Sequence, residues 1–274
     1  MSFRTLLVQV DESPHAAARV ATAVRVSCDV GARLVGLYLM PQLAAFDVAL
    51  PGDMAKQQFH VRRQAQDAAE QAFLAAAAAG NLNAVEWRAP RGDPLNAAVA
   101  HARCADLFVA GQEDRRAAGT HVNDLVVTVL LASGRPVLVV PYIGAAKTFG
   151  QKVLIASDGG QEAARAIADA MPLLERAQRV DVLVGARDGT EEDWGEIGGR
   201  LSAWLRDHGI EPHIELFAPD PAEAGQLLLS RAADFTSDLI VMGGYAHARL
   251  RQMVLGGMTR TMLDAMTVPV LMSH

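Results

Sequence analysis

The sequence predicts an α/β fold that consists of two tandem, doubly wound domains, each built on a five-stranded parallel sheet. The first observation is an internal repeat, because residues 106–111 read DLFVAG and residues 238–243 read DLIVMG. The second is that four landmarks keep the same order in each half: an apolar run ending in Asp, an Asp-Pro step, the repeated segment and a closing Pro-Val-Leu run. The third is that near-continuous apolar runs alternate with helical patterns, which is typical of parallel sheets covered on both faces. A landmark order that occurs twice indicates a duplicated domain.

The first half carries clear start signals for two of its helices. Ser13 is a good N-cap ahead of Pro14, and the Asp93-Pro94 step that follows Gly92 marks a second helix start. The predicted strands of this half are residues 5–10, 33–39, 84–89, 107–110 and 136–140. The predicted helices are residues 14–29, 54–79, 94–104 and 122–132.

The second half repeats this order with shorter connections. Its predicted strands are residues 152–156, 180–185, 213–217, 239–242 and 269–272, and its predicted helices are residues 161–176, 191–208, 221–235 and 258–266. Right-handed crossovers then make each half a doubly wound sandwich. We therefore expect domains at residues 1–145 and 150–274. The last strand of each half is short and apolar, so we expect the two halves to pair along these edges.

Composition and charge narrow the function classes. A length of 274 residues suits two domains, and a net charge of −6 argues against nucleic-acid and anionic-membrane partners. No apolar run approaches the roughly 20 residues that span a bilayer, and the first residues lead straight into a strand rather than a secretory signal. Cys28 and Cys104 lack metal or redox spacing, so we expect buried or half-buried thiols in a reducing cytoplasm. No pair of the eight histidines has the i, i+4 spacing of metal ligands on a helix.

A ligand in such a sheet binds beyond the carboxyl ends of the strands, where the strand order reverses. The residues expected there are Asp11 and Asp158, which follow the first strand of each half, and the loops after each fourth strand. The second of these loops, residues 243–259, is rich in glycine and ends where a helix starts. Glycines let backbone N–H groups approach phosphate oxygens, and a helix N-terminus favours an anion. Arg249, Arg251 and Arg260 add cations that suit a phosphate.

The opening strand that ends in Asp, the repeated DLxVxG strand, the GGYAHARLR loop at residues 243–251 and the closing Pro-Val-Leu run resemble the universal stress protein family in its tandem form. The resemblance covers nearly the whole chain. It implies the adenine nucleotide alpha hydrolase-like fold and an adenine nucleotide such as ATP as ligand, with or without Mg²⁺. Nucleotide-binding members of the family carry Gly, two residues, Gly, nine residues, Gly and then Ser or Thr. These four positions fall on Gly243, Ala246, Gly256 and Gly257, so two of them match.

The two departures differ in consequence. Ala246 adds a methyl group and costs about 1 kcal/mol if its backbone is left-handed. Gly257 lacks the hydroxyl that holds a phosphate, and Thr259 in the next turn is a possible substitute. The family's first-strand Asp maps to Asp158, which the resemblance places beside the nucleoside. The predicted ligand-binding residues are Asp158, Gly243, Ala246, Arg249, Gly256, Gly257, Met258 and Thr259.

The corresponding loop of the first half is degenerate. Of the family's loop signature only Gly111 remains, and Gln112, Glu113 and Asp114 follow it. Two carboxylates at the position of the phosphates repel an anion. Alignment of the closing runs also sets Asn123 and Asp124 opposite Gly256 and Gly257. We therefore expect no nucleotide in the first half.

Three functions remain open at this point. The first is a cytoplasmic stress-response regulatory protein whose second domain binds ATP or a related adenine nucleotide. The second is a stress protein that binds no nucleotide and acts through contacts with a protein partner. The third is a slow nucleotide hydrolase, although the sequence shows no convincing base or nucleophile near the loop, so binding rather than catalysis is predicted. The halves form either an intramolecular pseudo-dimer or part of a homodimer.

Overall fold

The computed structural model describes residues 2–40, 52–113, 122–144, 148–185, 190–217, 223–245 and 257–274. In the first half, strands β1 to β5 are Thr5–Val10, Arg33–Tyr38, Val85–Arg88, Leu107–Gly111 and Val137–Val140, and helices α1 to α4 are Ala16–Val30, Gly52–Ala79, Pro94–Ala102 and Val122–Ser133. In the second half, strands β6 to β10 are Lys152–Ser157, Arg179–Val184, Pro212–Leu216, Leu239–Gly243 and Val270–Ser273, and helices α5 to α8 are Gln161–Leu174, Glu191–Asp207, Ala224–Asp234 and Gly257–Ala265. The α/β fold class is confirmed.

All ten strands form one sheet in the order β3-β2-β1-β4-β5-β10-β9-β6-β7-β8. Within each half the neighbouring strands are parallel, as the apolar runs predicted. The halves meet where β5 and β10 pair antiparallel, with Leu138 opposite Leu271. The expected pairing along the closing strands is therefore confirmed. The strand order reverses between β1 and β4 and again between β6 and β9, which defines two crevices at the carboxyl ends of the strands.

Helices cover both faces of the sheet. Along β1, Leu6 and Val8 pack into one apolar cluster while Leu7 packs into the other, as the strand alternation requires. The first cluster includes Val20, Phe73, Ile167 and Leu205 from α1, α2, α5 and α6. The second includes Val99, Leu130, Leu228 and Leu263 from α3, α4, α7 and α8. Each cluster takes members from both halves, so the two halves share a continuous core.

The aspartate that begins each repeated segment has a structural role at the opposite edge of the sheet from the crevices. The Oδ2 of Asp106 accepts hydrogen bonds from the backbone N–H groups of Arg4 and Thr5, at 2.8 and 2.9 Å. In the second half, the Oδ1 of Asp238 accepts from the N–H of Lys152 at 2.9 Å. Both carboxylates hold the start of the first strand against the fourth strand. The repeat therefore preserves a strand anchor in each half.

One predicted helix start is confirmed and another is shifted. Asp93 is the N-cap of α3, and its Oδ1 accepts from the N–H of Asn96 at 2.7 Å. In contrast, α1 begins at Ala16 rather than Pro14, and Ser13 is not its N-cap. The reason is that the Oδ1 of Asp11 accepts from the Ser13 N–H at 3.0 Å and draws this segment into a turn. The start predicted for α7 at residue 221 lies outside the described residues.

Both cysteines are free and exposed, so the expectation of buried or half-buried thiols is wrong. Cys28 lies near the end of α1, outside the run of buried positions that ends at Ser27, and its Sγ is 3.3 Å from the carbonyl oxygen of Gly80. Cys104 lies two residues beyond the end of α3. In the part of the chain that the structure describes, no helix is both long enough and apolar enough to cross a membrane.

Candidate functional site

The crevice of the second half lies between the carboxyl ends of β6 and β9, where Asp158 leaves the sheet. The side chain of Asp158 is exposed, and its Oδ1 accepts from the Gly160 N–H at 2.9 Å. Ser157 behaves similarly, since its Oγ accepts from the Gly159 N–H at 3.3 Å. These two bonds form the turn that starts α5. The Oδ2 of Asp158 has no hydrogen-bond partner among the described residues, so an incoming group can reach it.

Gly243 forms the other wall of this crevice, because the first turn of α5 lies directly against it. A Cβ at position 243 would lie 2.7 Å from the backbone nitrogen of Ala163 and 2.8 Å from the carbonyl carbon of Glu162. Real Cβ atoms do not approach backbone that closely, so only glycine fits. The glycine therefore brings the end of β9 against the N-terminus of α5, where the backbone N–H groups favour negative charge.

The helix predicted after the glycine-rich loop is present, with α8 starting at Gly257. Gly257 is exposed, and an added Cβ would meet no described atom within 4 Å. Thr259 is only 4% exposed, and its Oγ1 lies 3.5 Å from the Tyr245 N–H, a long contact. Met258 is half-buried against the second apolar cluster. The remaining predicted ligand residues, Ala246, Arg249 and Gly256, lie outside the described residues.

Tyr245 is the last described residue at the start of the glycine-rich loop, and its backbone conformation is strained. The sequence did not indicate a role for it. Its φ is 64°, in the left-handed region that costs non-glycine residues about 1–2 kcal/mol. Its side chain is 9% exposed, and its Oη has no hydrogen-bond partner among the described residues. Burial raises the pKa of the phenol to about 12, with a further contribution from the negative charge of Asp124 on α4. A Cβ at the preceding Gly244 would lie 2.7 Å from the Cδ2 of Leu130 on α4, so the loop of the second half starts against the first half.

A cavity of about 200 Å³ opens beside the Asp158 turn, between α5 and α6. The residues lining it are Ser157, Gly159, Gly160, Ala164, Ile167, Ile197, Arg200 and Leu201. Its walls are apolar except near the turn and at Arg200. The guanidinium of Arg200 pairs with Glu196 at 3.0 Å, but both side chains are about 70% exposed, so this pair holds Arg200 weakly. Whole-ligand pockets usually measure roughly 300–1,000 Å³, so this cavity suits only part of a nucleotide.

The crevice of the first half is filled by a side chain of the protein, that of Arg19. Arg19 on α1 is 3% exposed, and its Nε donates to the carbonyl oxygen of Gln9 at 2.7 Å. Its Nη2 lies 2.8 Å from the Oδ2 of Asp11. Its Nη1 lies so close to Gly111 that any side chain there would collide with it. The arginine therefore occupies the space between Asp11 and Gly111, the residues that correspond to Asp158 and Gly243.

A hydrogen-bond network holds the groups around Arg19. The Nε2 of Gln9 donates to the Oδ2 of Asp11 at 2.8 Å, and its Oε1 accepts from the Gly111 N–H at 3.2 Å. Burial raises the pKa of the Asp11 carboxyl, but the Arg19 charge and the hydrogen bonds from Ser13 outweigh burial and hold the pKa below its usual value. Asp11 is therefore an ionised, fully engaged carboxylate, unlike Asp158.

Gln112, which the sequence analysis placed beside a phosphate position, faces the second half instead. It is 4% exposed, and its Nε2 donates to the carbonyl oxygen of Leu263 on α8 at 3.0 Å. Its Oε1 accepts from the Tyr142 N–H at 3.1 Å. Asp114 lies outside the described residues, and Glu113 is half-buried. The degenerate loop thus contributes at least one side chain to the contact between the halves.

The Universal stress protein family matches residues 2–141, half of the chain. The chain belongs to this family. A crystal structure of a universal stress protein from Archaeoglobus fulgidus DSM 4304 superposes with a TM-score of 0.76 at 16% identity, covering 98% of this chain and 97% of that one. A protein from Pseudomonas aeruginosa UCBPP-PA14, described as a universal stress protein, gives 0.61 at 17% identity and covers 99% and 93% of the two chains.

A shorter universal stress protein, solved in complex with cAMP, is 21% identical and covers 51% of this chain and 98% of its own, with a TM-score of 0.38. Comparison with curated protein sequences gives no match. The two full-length structural matches are universal stress proteins or described as such, and they agree with the family assignment of the first half. They extend the fold, and only the fold, over the whole chain.

Three residues that shape the two crevices were not predicted from the sequence, namely Gln9, Arg19 and Tyr245. A signal for Arg19 was present, because an arginine lies among the apolar positions of α1 where the aligned position of α5 is Ala166. No local signal marks Tyr245, since its burial and its positive φ are properties of the folded chain. The predicted residues Asp158, Gly243 and Gly257 all lie at the carboxyl edge of the second half.

Proposed function

We propose that this universal stress protein is a stress-response regulator whose second half, residues 150–274, binds an adenine nucleotide such as ATP. The observation that carries the proposal is the contrast between two equivalent carboxylates. Asp11 is locked by Arg19, whereas Asp158 is exposed beside an open cavity. A carboxylate that accepts only one local hydrogen bond is available to the hydroxyl groups of a ribose.

The surroundings of Asp158 supply different chemistry on its two sides. On one side, the apolar walls formed by Ile167, Ile197 and Leu201 suit the flat face of a purine base, and the cavity between them is large enough for part of a nucleotide. On the other side, the N-termini of α5 and α8 favour phosphate, and Gly257 leaves room there. A nucleotide spans both when its ribose lies at Asp158. Mg²⁺ would bind through the phosphates.

Binding rather than catalysis is proposed, with at most slow hydrolysis. We expect nucleotide to protect the backbone amides of residues 243–257 from hydrogen exchange and, through Tyr245 and α4, to alter the surface presented to a protein partner. Equal rates of amide hydrogen exchange in that segment with and without ATP would refute this mechanism. The two free cysteines suit a reducing compartment, and we propose a cytoplasmic location.

The pairing of β5 with β10 favours an intramolecular pseudo-dimer, because the strands that close each half are already used within one chain. We propose that residues 1–145 and 150–274 act as its two domains. Light scattering after size-exclusion chromatography tests this arrangement. A monomer mass supports the pseudo-dimer, and a stable dimer mass would assign another surface to self-association.

A thermal-shift titration with ATP and Mg²⁺ tests the nucleotide site. Ligand at 100 times its dissociation constant stabilises the folded protein by about 2.7 kcal/mol, which raises the melting temperature. We expect this shift in wild type, and its loss in Asp158→Ala and in Ile197→Trp, which fills the cavity. Glu211→Ala is the matched control, because it removes an exposed carboxylate away from the crevice.

The alternative function is a stress protein that acts through protein contacts and binds no nucleotide. Ala246 and the missing hydroxyl at Gly257 favour it. No thermal shift at millimolar ATP in folded wild-type protein would support this alternative. A shift that Asp158→Ala and Ile197→Trp both retain would place the nucleotide elsewhere.

A further inference from the structure

Arg19 is a charged residue on a buried face of α1. Its side chain is 3% exposed, and a buried charge is costly unless it is paired and hydrogen-bonded. The Nε of the guanidinium donates to the Gln9 carbonyl at 2.7 Å, and its charge pairs with Asp11, whose Oδ2 lies 2.8 Å from Nη2. Nη2 itself makes no well-aligned hydrogen bond among the described residues, so the contact with Asp11 is an ion pair. The third nitrogen, Nη1, lies against the bare backbone of Gly111. The crevice therefore matches the outline of a guanidinium.

The acceptors around Arg19 are held by partners other than Arg19. The Asp11 carboxylate accepts from the Ser13 N–H at 3.0 Å and from the Gln9 Nε2 at 2.8 Å. The Gln9 side chain is fixed in turn by the Gly111 N–H at 3.2 Å. The Gln9 carbonyl belongs to the backbone of β1, which lies inside the sheet. The geometry that receives the guanidinium is thus preorganised by the fold.

The equivalent crevice of the second half lacks this occupant. Counting from the first residues of β1 and β6, Gln9 corresponds to Ala156 and Arg19 corresponds to Ala166. Both alanines are too short to reach Asp158, whose carboxylate stays exposed. The same fold position is consequently closed in one half and open in the other.

We infer that the crevice of the first half is a guanidinium-binding site and that Arg19 is its resident ligand. An internal ligand needs no binding from solution, so it excludes external ligands at any ordinary concentration. Of the two crevices, only that of the second half is open among the residues that the structure describes. This inference concerns the first half and stands whether or not the second half binds a nucleotide.

The chemistry of the crevice selects a guanidinium over other groups. A guanidinium is planar and carries its charge over three nitrogens, so one edge can donate to the Gln9 carbonyl while the charge faces the Asp11 carboxylate. An ammonium is a compact, strongly hydrated charge that does not fill the same slot. A phosphate meets the ionised Asp11 and is repelled. The class of ligand is therefore a small alkylguanidinium.

Chemical rescue of Arg19→Ala tests the inference. We expect this variant to melt below wild type, and methylguanidinium at millimolar concentration to restore most of the lost melting temperature along a saturable curve. Methylammonium should restore none of it. Arg206→Ala is the matched control, because it removes an exposed arginine from an exposed carboxylate, and methylguanidinium should not raise its melting temperature.

The double variant Asp11→Asn, Arg19→Ala identifies the site of rescue, since it lacks the carboxylate and should not respond to methylguanidinium. Absence of saturable rescue in folded Arg19→Ala would overturn the inference, and so would equal rescue by methylammonium. Rescue that persists in the double variant would overturn it as well, because the cation would then bind elsewhere.

If Arg19→Ala does not fold, hydrogen exchange of the Arg19 side chain in wild type tests the same inference. In a ¹⁵N-labelled sample, the Nε–H of Arg19 should exchange with water far more slowly than those of exposed arginines, because it donates to the Gln9 carbonyl in a closed crevice. Assignment is made with Arg19→Lys, which lacks that resonance. Exchange as fast as that of the exposed side chains would overturn the inference.

Discussion

Replacing Gln112 with Ala tests whether the two halves are joined by side-chain hydrogen bonds as well as by strands. In the structure, the buried amide of Gln112 donates to the Leu263 carbonyl at 3.0 Å and accepts from the Tyr142 N–H at 3.1 Å. Gln112→Ala removes both bonds and leaves both backbone groups without this partner. The contact is the more informative because Leu263 lies on α8, in the other half of the chain.

The expected magnitude follows from the two bonds. Each net hydrogen bond contributes about 0.5–1.5 kcal/mol, and buried partners left unsatisfied move the loss toward the upper end. Gln112→Ala should therefore lower the free energy of unfolding by about 2–3 kcal/mol. For a chain of this size, that corresponds to a fall in melting temperature of roughly 4–10 °C.

Urea unfolding followed by far-ultraviolet circular dichroism measures this change as a lower midpoint at unchanged slope. Glu113→Ala is the matched control, because the next residue is half-buried and makes no hydrogen bond or ion pair within the described part of the chain. We expect that control within about 0.5 kcal/mol of wild type. A Gln112→Ala midpoint equal to that of Glu113→Ala would refute the bridge between the halves.

Asp11, the glycines of α6 and Gly257 are three further positions at which a substitution should have a measurable effect. The folded-state pKa of Asp11 lies below its unfolded value of about 3.9, so its contribution to stability is complete above that pH and is lost as pH falls through the folded pKa. Asp11→Asn should therefore reduce the fall of the urea midpoint that wild type shows between neutral and acid pH. Within α6, Gly195→Ala and Gly199→Ala should each stabilise the protein in urea unfolding by about 0.5–1 kcal/mol, because both positions are exposed and open. Gly198→Ala should not, since its Cβ would lie 3.1 Å from the Cγ2 of Ile214 on β8. If the second half binds ATP, Gly257→Ser should tighten binding by about ten- to a hundredfold in calorimetric titration, because a hydrogen bond to a charged group contributes about 1.5–3 kcal/mol.

Each of these predictions has a control variant and an outcome that would contradict it. For the acid limb, Arg19→Lys keeps a cation near Asp11, and an Asp11→Asn profile parallel to wild type would contradict the assigned ion pair. For the helix glycines, equal effects at all three positions would mean that the Ile214 side chain moves away from a Cβ at position 198 with no loss of stability. For the phosphate position, Gly257→Ala adds a Cβ without a hydroxyl, so an equal gain from Ala would exclude a hydrogen bond to phosphate.

The elements of the fold were predictable because their signals are local. The strands are continuous apolar runs, and each predicted strand agrees with the structure to within one residue at either end. The start of α3 follows from the Asp93-Pro94 step, whose side-chain cap is a contact between residues three apart. The start of α1 was misplaced because the carboxylate of Asp11, which lies outside the helix, reshapes the turn around Ser13.

The candidate site was only partly predictable. Asp158, Gly243 and Gly257 could be placed at one edge of the sheet, because parallel strands bring their carboxyl ends together. The reason for Gly243 was not predictable, since it depends on how closely α5 approaches the end of β9. Nor was the burial of Thr259 against Tyr245, which depends on packing between α8 and the start of the loop.

The sequence by itself determined that the chain is a duplicated α/β protein with an aspartate at the end of each first strand, because repeats and apolar periodicity are written along the chain. Only the tertiary structure decided that these two aspartates differ. Asp11 is closed by Arg19, which reaches it from the first turn of α1, whereas Ala166 at the aligned position of α5 leaves Asp158 open. A carboxylate's availability depends on which side chains fill the space beside it, and that space exists only after the helices have packed on the sheet.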